Sequence, residues 1–428
     1  MSKASNRLDN GKSKNKIIRE AWERGLKVLK PSAQQLAHGL ELHASLFTCD
    51  GFGFLPNIWS KKIVEFWREF KTGNVGSLEM ERRMLVLRAM AATDDPESGE
   101  EFLTGLRAGG LKCSVLTVAE GKSREADIGR MSTSVHLCRE FRQAIVQAGS
   151  VAEIREAEKA GKMAIVWSVN GPPIVGKLED PDEEFSWLHV WRNLGVRLMH
   201  LTYNRRNFVG DGCAEPTNGG LSDLGVELVK RMNRIGIIVD VPHSGRQTTL
   251  DAAKVSTRPV MASHTGAKGV FDYIRCKSDE EIRAIAKTGG MLGVNVLPSL
   301  LGPGATLNTM LDHLDYIVRL VGTDHVGIAT DTCYAGEWPK DLSRYSPSRH
   351  TSTWWGNWGK AENRVKTSSD EASRGSLSWT NWPLYTVGLV MRGYSESDIA
   401  KILGLNFLRI LKANEPEPGA SIYEPLKK

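Results

Sequence analysis

No part of this 428-residue chain approaches the roughly 20 consecutive apolar residues that a membrane-spanning helix needs, so a transmembrane protein is not expected. The opening MSKASNRLDNGKSKNK carries charge with no apolar core after it, which is unlike a secretory signal and makes the cytoplasm the expected compartment. Cysteine is sparse and scattered. Cys49, Cys113, Cys138, Cys213, Cys276 and Cys333 form no CxxC or short repeated spacing, which argues against a zinc knuckle and a disulfide framework and for free thiols. Nor is there a basic groove. The net charge of +6 is matched by residues 1–30 alone, with nine Lys or Arg against three Asp or Glu, whereas nucleic-acid binding needs cations clustered on the folded surface. Internal repeats and low-complexity runs are missing as well.

What is present is enough apolar sequence, 41%, for one large core. Short β-branched runs alternate with stretches of helical periodicity, the pattern of repeated βα units. Eight runs read as strands, at residues 45–50, 113–119, 163–169, 196–202, 236–242, 258–264, 290–296 and 325–331. Eight strands close a (β/α)8 barrel of the TIM type, an α/β fold. Helices precede the fifth, seventh and eighth runs, and each meets a glycine near its end. The spacer 51–112 exceeds one crossover and must hold extra helices. Residues 1–44 read as a solvated, partly helical extension, 45–411 as the barrel, and 412–428 as a tail. Within the barrel, 333–382 reads as a long loop over the mouth, with Trp354, Trp355, Trp358, Trp379 and Trp382 as its anchors or as walls of a substrate pocket.

Barrel enzymes carry their reactive groups at the C-terminal ends of the strands. There the sequence places His243 after IIVDVP, His264 after PVMAS and Asp331 after GIAT. Two imidazoles on consecutive strands can share one divalent ion. His200 lies inside the fourth run, three residues before Tyr203, and is kept as a spare ligand. His313 and His325 stand at the wrong end for catalysis and are expected to be structural. GDGCAE (210–215) lacks the strand-to-helix setting of a phosphate cradle. Its Cys213 has no base predictably beside it.

The run LTYNRRNFVGDGCAEPTNGGLSDLGVELVKRMNRIGIIVDVPHS (201–244), then RPVMASHTGA (258–267), the segment around Arg275, and LVGTDHVGIATD (320–331) together resemble the membrane dipeptidase family, peptidase family M19. The resemblance runs in order from about residue 45 to residue 411, where LGLNFLRIL is similar to that family's closing helix. It implies a barrel of the metal-dependent amidohydrolase type and a hydrolase. Typical members hold two zinc ions on a His-x-Asp pair after the first strand, a bridging Glu after the third, and single His residues after the fifth and sixth. The last two carry over to His243 and His264. The same resemblance implies Asp331 as the proton-handling carboxylate and Arg275 as an anchor for a substrate carboxylate, a task that suits a planar, bidentate guanidinium.

The departures are as informative. DGFGFLP puts Phe52 and Phe54 where the family has its His and Asp ligands, and SVNGPP puts Asn170 at the bridging Glu. Tyr203 replaces a His that would face the substrate. Three readings stay open: one ion, zinc first, on His243 and His264, completed by Asp331 or Asn170 and water; a metal-free acid–base site using Asp331, Tyr203 and a histidine, as in a lyase or isomerase; or a binding protein without catalysis. In the first two the partner is a small-molecule substrate lying against Phe52, Phe54, Asn170, Tyr203 and Arg275. Tyr203 would hydrogen-bond a developing oxyanion. A homodimer is possible by analogy with this fold, and neither nucleic acid nor a membrane is expected as a partner.

Overall fold

The computed structural model describes residues 8–71, 83, 86–87, 90–121, 123–174, 176, 179–337 and 375–416. Nine strands lie in one parallel sheet: β1 (Cys49–Gly53), β2 (Cys113–Ala119), β3 (Ile145–Gln147), β4 (Met163–Val169), β5 (Val196–His200), β6 (Ile238–Asp240), β7 (Met261–Thr265), β8 (Met291–Val294) and β9 (Val326–Ile328). All eight expected runs carry a strand. The addition is β3, three residues that pair with the first half of β4, below the point where β5 begins to pair at Trp167. The other eight follow the order β1-β2-β4-β5-β6-β7-β8-β9 around a (β/α)8 barrel.

Every barrel strand, or the residue just past it, sends a small or medium apolar side chain inward. Cys49, Cys113, Val115, Ala164, Val166, Leu198, Ile238, Met261, Met291 and Ala329 form one buried cluster. The helices bury a second cluster outside the sheet. Their ends follow local rules. Ser222 caps Asp223–Ile235 and Gly236 ends it at φ 76°, while Ser278 and Glu281 make a capping box on Asp279–Lys287. As the long spacer requires, it holds helices, at Lys61–Lys71 and Pro96–Gly109.

The expectation of a solvated N-terminal arm is corrected. The helices Lys16–Leu29 and Ala33–Ser45 each bury a face, with Ile18, Trp22, Leu29, Leu40 and His43 inside. Gly39 lets the second helix press onto Trp382–Met391, where a Cβ would stand 2.7 Å from Val387 Cα. His43 spans that contact, with Nδ1 2.8 Å from Thr386 Oγ1 and Nε2 3.0 Å from the Gly109 carbonyl. Trp379 and Trp382 are buried and serve as anchors. Trp354, Trp355 and Trp358, with most of the loop 333–382 and the tail from 417, lie outside the described residues.

The barrel closes between β1 and the chain leaving β9. Asp331 N–H donates to Phe52 O at 2.8 Å, and Phe54 N–H to Thr332 O at 3.1 Å. Between them sits the buried carboxylate of Asp50. It accepts from Phe52 N (3.3 Å), Thr330 N (2.8 Å), Thr330 Oγ1 (2.6 Å) and the Trp379 indole N–H (3.1 Å). Burial outweighs these four donors and pushes its pKa from 3.8 up to about 7. The unfolded chain therefore releases this proton first, and stability falls as pH rises from about 4 to about 7. Thermal unfolding of the wild type and Asp50→Asn across that range checks the assignment: the gap in Tm between them changes with pH in favour of the variant up to about 7 and is flat beyond it.

Candidate active site

Inward-facing positions at the C-terminal rim are set by alternation, and in β1, β2 and β7 a register shift breaks it. Met261 faces the barrel interior, so a regular β7 would turn Ser263 in and His264 out. Two residues between Ala262 and Thr265, against one between Leu292 and Val294 on β8, make a bulge, and the Ser263 N–H donates to Asp240 Oδ1 at 2.8 Å. A matching bulge between Asp50 and Gly53 interrupts β1 beside Phe52. The two re-aimed rings meet: Phe52 stacks on His264 with centroids 4.0 Å apart and planes 23° apart.

His243 arrives from the segment after β6, and its Nε2 stands 3.0 Å from His264 Nε2. Each imidazole is held from behind. His243 Nδ1 lies 2.6 Å from Asn204 Oδ1, an acceptor only, so the ring carries its proton on Nδ1 and leaves Nε2 with a lone pair. His264 Nδ1 lies 2.9 Å from Ser263 Oγ. Tyr203 stacks on the far face of His243, with centroids 4.0 Å apart. Burial first, then the charge of Arg275, keeps both histidines well below the ordinary value of 6.5 and hence neutral, as ligation requires.

Arg275 is buried rather than open to the mouth. Its guanidinium donates to the Pro242 and His264 carbonyls and stands 3.2 Å from His243 Nε2. Two residues on, Lys277 braces the same loop, with Nζ donating to Ser244 O (2.9 Å) and Thr249 Oγ1 (2.7 Å) and pairing with Glu281 at 3.1 Å. Asp331 follows β9 in a left-handed conformation, φ 53°, a region that residues with a Cβ enter uncommonly and Asp more readily than most. Phe54 meets Phe52 edge to face, with centroids 5.9 Å apart.

Asn170 is not brought to the histidines as a ligand. Its Nδ2 donates to Glu120 Oε2 and its Oδ1 accepts from Thr117 Oγ1, both at 3.0 Å, so both ends of the amide are taken. His313 and His325 are satisfied structural histidines. His313 Nδ1 accepts from Ala267 N at 2.9 Å, and His325 Nδ1 lies 2.8 Å from the Gly290 carbonyl. Cys213 lies in the loop beside Asn204, its Sγ 3.4 Å from the same Asn204 Oδ1 that meets His243 Nδ1. Asp50, Asn204, Glu120 and Ser263 were not singled out from sequence. Asn204 within LTYN, Asp50 within DGFGFLP and Ser263 within RPVMASHTGA stood inside motifs that could have flagged them; Glu120 did not.

The spacing of His243 and His264 is compatible with one shared ion. A tetrahedral ion bound at about 2.0–2.1 Å separates two ligand nitrogens by about 3.3 Å, so His243 and His264 need open by only a few tenths of an ångström. On the opposite wall Phe52 and Phe54 offer no donor, and Asn170 is engaged. Among the described residues no helix is long and apolar enough to cross a membrane.

Comparison with known proteins agrees with this architecture. An uncharacterized dipeptidase of Schizosaccharomyces pombe is 31% identical over 56% of this chain and 52% of its own length. Dipeptidase tcpJ of Claviceps purpurea is 26% identical over 60% of this chain and 52% of its own length, so the chain spans about half the length of the curated relatives it matches. The crystal structure of an amidohydrolase from Pseudomonas aeruginosa, 26% identical, superposes with a TM-score of 0.66 over 88% of this chain and 98% of that one. The model of the membrane dipeptidase family, peptidase family M19, matches residues 90–351, and the chain belongs to that family.

Proposed function

We propose that this chain is a hydrolase that cleaves an amide or related bond in a small carboxylate-bearing substrate, with a single divalent ion, zinc the first candidate, held by His243 and His264. The observation that carries the reading is the approach of their Nε2 atoms to 3.0 Å inside a wall of stacked aromatic rings. When bound, such an ion supplies a hydroxide at neutral pH and polarises the scissile carbonyl.

The remaining steps belong to the chain's own groups. Arg275 sets a fixed positive charge beside the histidines, and in a buried site that charge draws a substrate carboxylate strongly. Asp331 receives the proton of the attacking water and passes it to the leaving amine. Tyr203 directs its hydroxyl at the oxyanion of the tetrahedral intermediate. Phe52 and Phe54 make the wall opposite His264 apolar, which favours a flat or aromatic substrate and excludes water.

The metal-free acid–base reading draws on one observation. A guanidinium N–H stands 3.2 Å from the His243 Nε2 lone pair and fills part of a cation's role there. Elemental analysis separates the two: the purified wild type carries about one equivalent of transition metal, and His243→Ala/His264→Ala carries none. A metal-free parent transfers the weight to acid–base chemistry. On a panel of dipeptides and N-acyl amino acids, Asp331→Asn lowers kcat by about 100-fold or more with little change in KM, as loss of a general base does. A panel without turnover by the wild type would leave only the binding-protein reading.

A further inference from the structure

A third histidine stands with the two at the rim. His200, the last residue of β5, is fully buried, and alternation from Leu198 turns it inward. Its ring centroid lies 5.5 Å from that of His243 and 5.4 Å from that of His264, and those two lie 5.0 Å apart. Three rings bound through nitrogen to one tetrahedral ion at about 2.0–2.1 Å have centroids about 5.2 Å apart, so the observed triangle is close to that of a three-histidine centre.

The polar groups of His200 are also unspent. Neither ring nitrogen has a hydrogen-bond partner, and neither does Oδ2 of Asp240. That oxygen lies only 3.1 Å from His200 Nε2, close enough for an ion pair but not aligned as a hydrogen bond. Nε2 thus faces a carboxylate and Nδ1 faces no partner; buried imidazole nitrogens are ordinarily satisfied, and an open one on a ring beside two convergent histidines points to a ligand-binding role. Asp240 is itself fixed, since its other oxygen holds the Ser263 N–H displaced by the β7 bulge.

We infer that His200 is the third ligand of the proposed ion, with Asp240 as the carboxylate that orients it. Each imidazole then has its own partner behind it: Asn204 for His243, Ser263 for His264 and Asp240 for His200. Among the described residues no three donor atoms already converge on one point, so His200 turns its ring to engage. The inference rests on the one-ion reading and supplies the ligand that reading lacks, since Asn170 is committed elsewhere.

The test uses Zn2+ alone. X-ray absorption of the Zn2+-loaded wild-type chain shows three imidazoles at the metal, and His200→Gln shows two. Zn2+ titration gives binding about 10- to 100-fold weaker in Asp240→Asn, the usual cost of an outer-shell partner. His200→Gln loses more, with Tm and circular dichroism reporting that each variant is folded. Two imidazoles in the wild type, or Zn2+ affinity unchanged in folded His200→Gln, overturns this assignment and leaves the two-histidine ion standing. A wild type that takes up no Zn2+, or takes it up equally well in His243→Ala/His264→Ala, overturns the one-ion reading itself.

Discussion

The geometry of the mouth depends on the barrel closing through Asp50. A buried carboxylate that accepts four hydrogen bonds ties β1, the chain after β9 and the Trp379 indole to one point. Leaving a buried donor of this kind unpaired costs about 1–3 kcal/mol. The same closure sets Phe52 against His264 and places Asp331 next to Phe52 through a backbone bond. The left-handed backbone of Asp331 is therefore paid for by the packing of the seam rather than by anything local.

The phenylalanines at 52 and 54 set the electrostatics of everything opposite them. Fewer polar groups and tight ring stacking lower the local dielectric, so the single guanidinium of Arg275 acts on both histidines with little screening. Its charge and the burial work in one direction, keeping the imidazoles neutral. Stacking supplies a second constraint. Phe52 on His264 and Tyr203 on His243 fix the ring planes, while Asn204 and Ser263 fix rotation within them. A His ring restrained in both ways is aimed as firmly as one in a fully polar site.

Most of the fold is legible in the sequence because buried parallel strands read as short β-branched runs, and eight such runs separated by helical segments leave few topologies. β3 escapes because three residues carry too little periodicity. The N-terminal helices escape for a different reason: charged residues (Lys16, Arg19, Glu20, Glu23, Arg24 and Lys27) mask the pattern in Lys16–Leu29, while Ile18, Trp22 and Leu29 recur at helical spacing and bury. Within the site, His243 and His264 are legible as strand-end histidines. That His264 points inward is not, since it depends on a one-residue bulge that sequence alternation contradicts. Asn170 reads as a weak ligand and is committed, because its hydrogen-bond partners come from another strand and the residue after it, Thr117 and Glu120.

The substitutions on the two sides of the mouth are mutually consistent on physical grounds. Glu120 brings a carboxylate to within 3.0 Å of the residue 170 side chain, and Arg130 pairs with its other oxygen. A glutamate at 170, without an ion between the two carboxylates, would set like charges against each other in a nearly buried position, and one of them would have to take up a proton. An asparagine there donates instead, and converts the repulsion into a hydrogen bond. With Phe52 and Phe54 offering no donor on β1, the neutral amide at 170 is the side chain that the neighbouring carboxylate favours. The apolar β1 wall and the amide just after β4 are thus mutually consistent, and neither brings a carboxylate to His243 and His264.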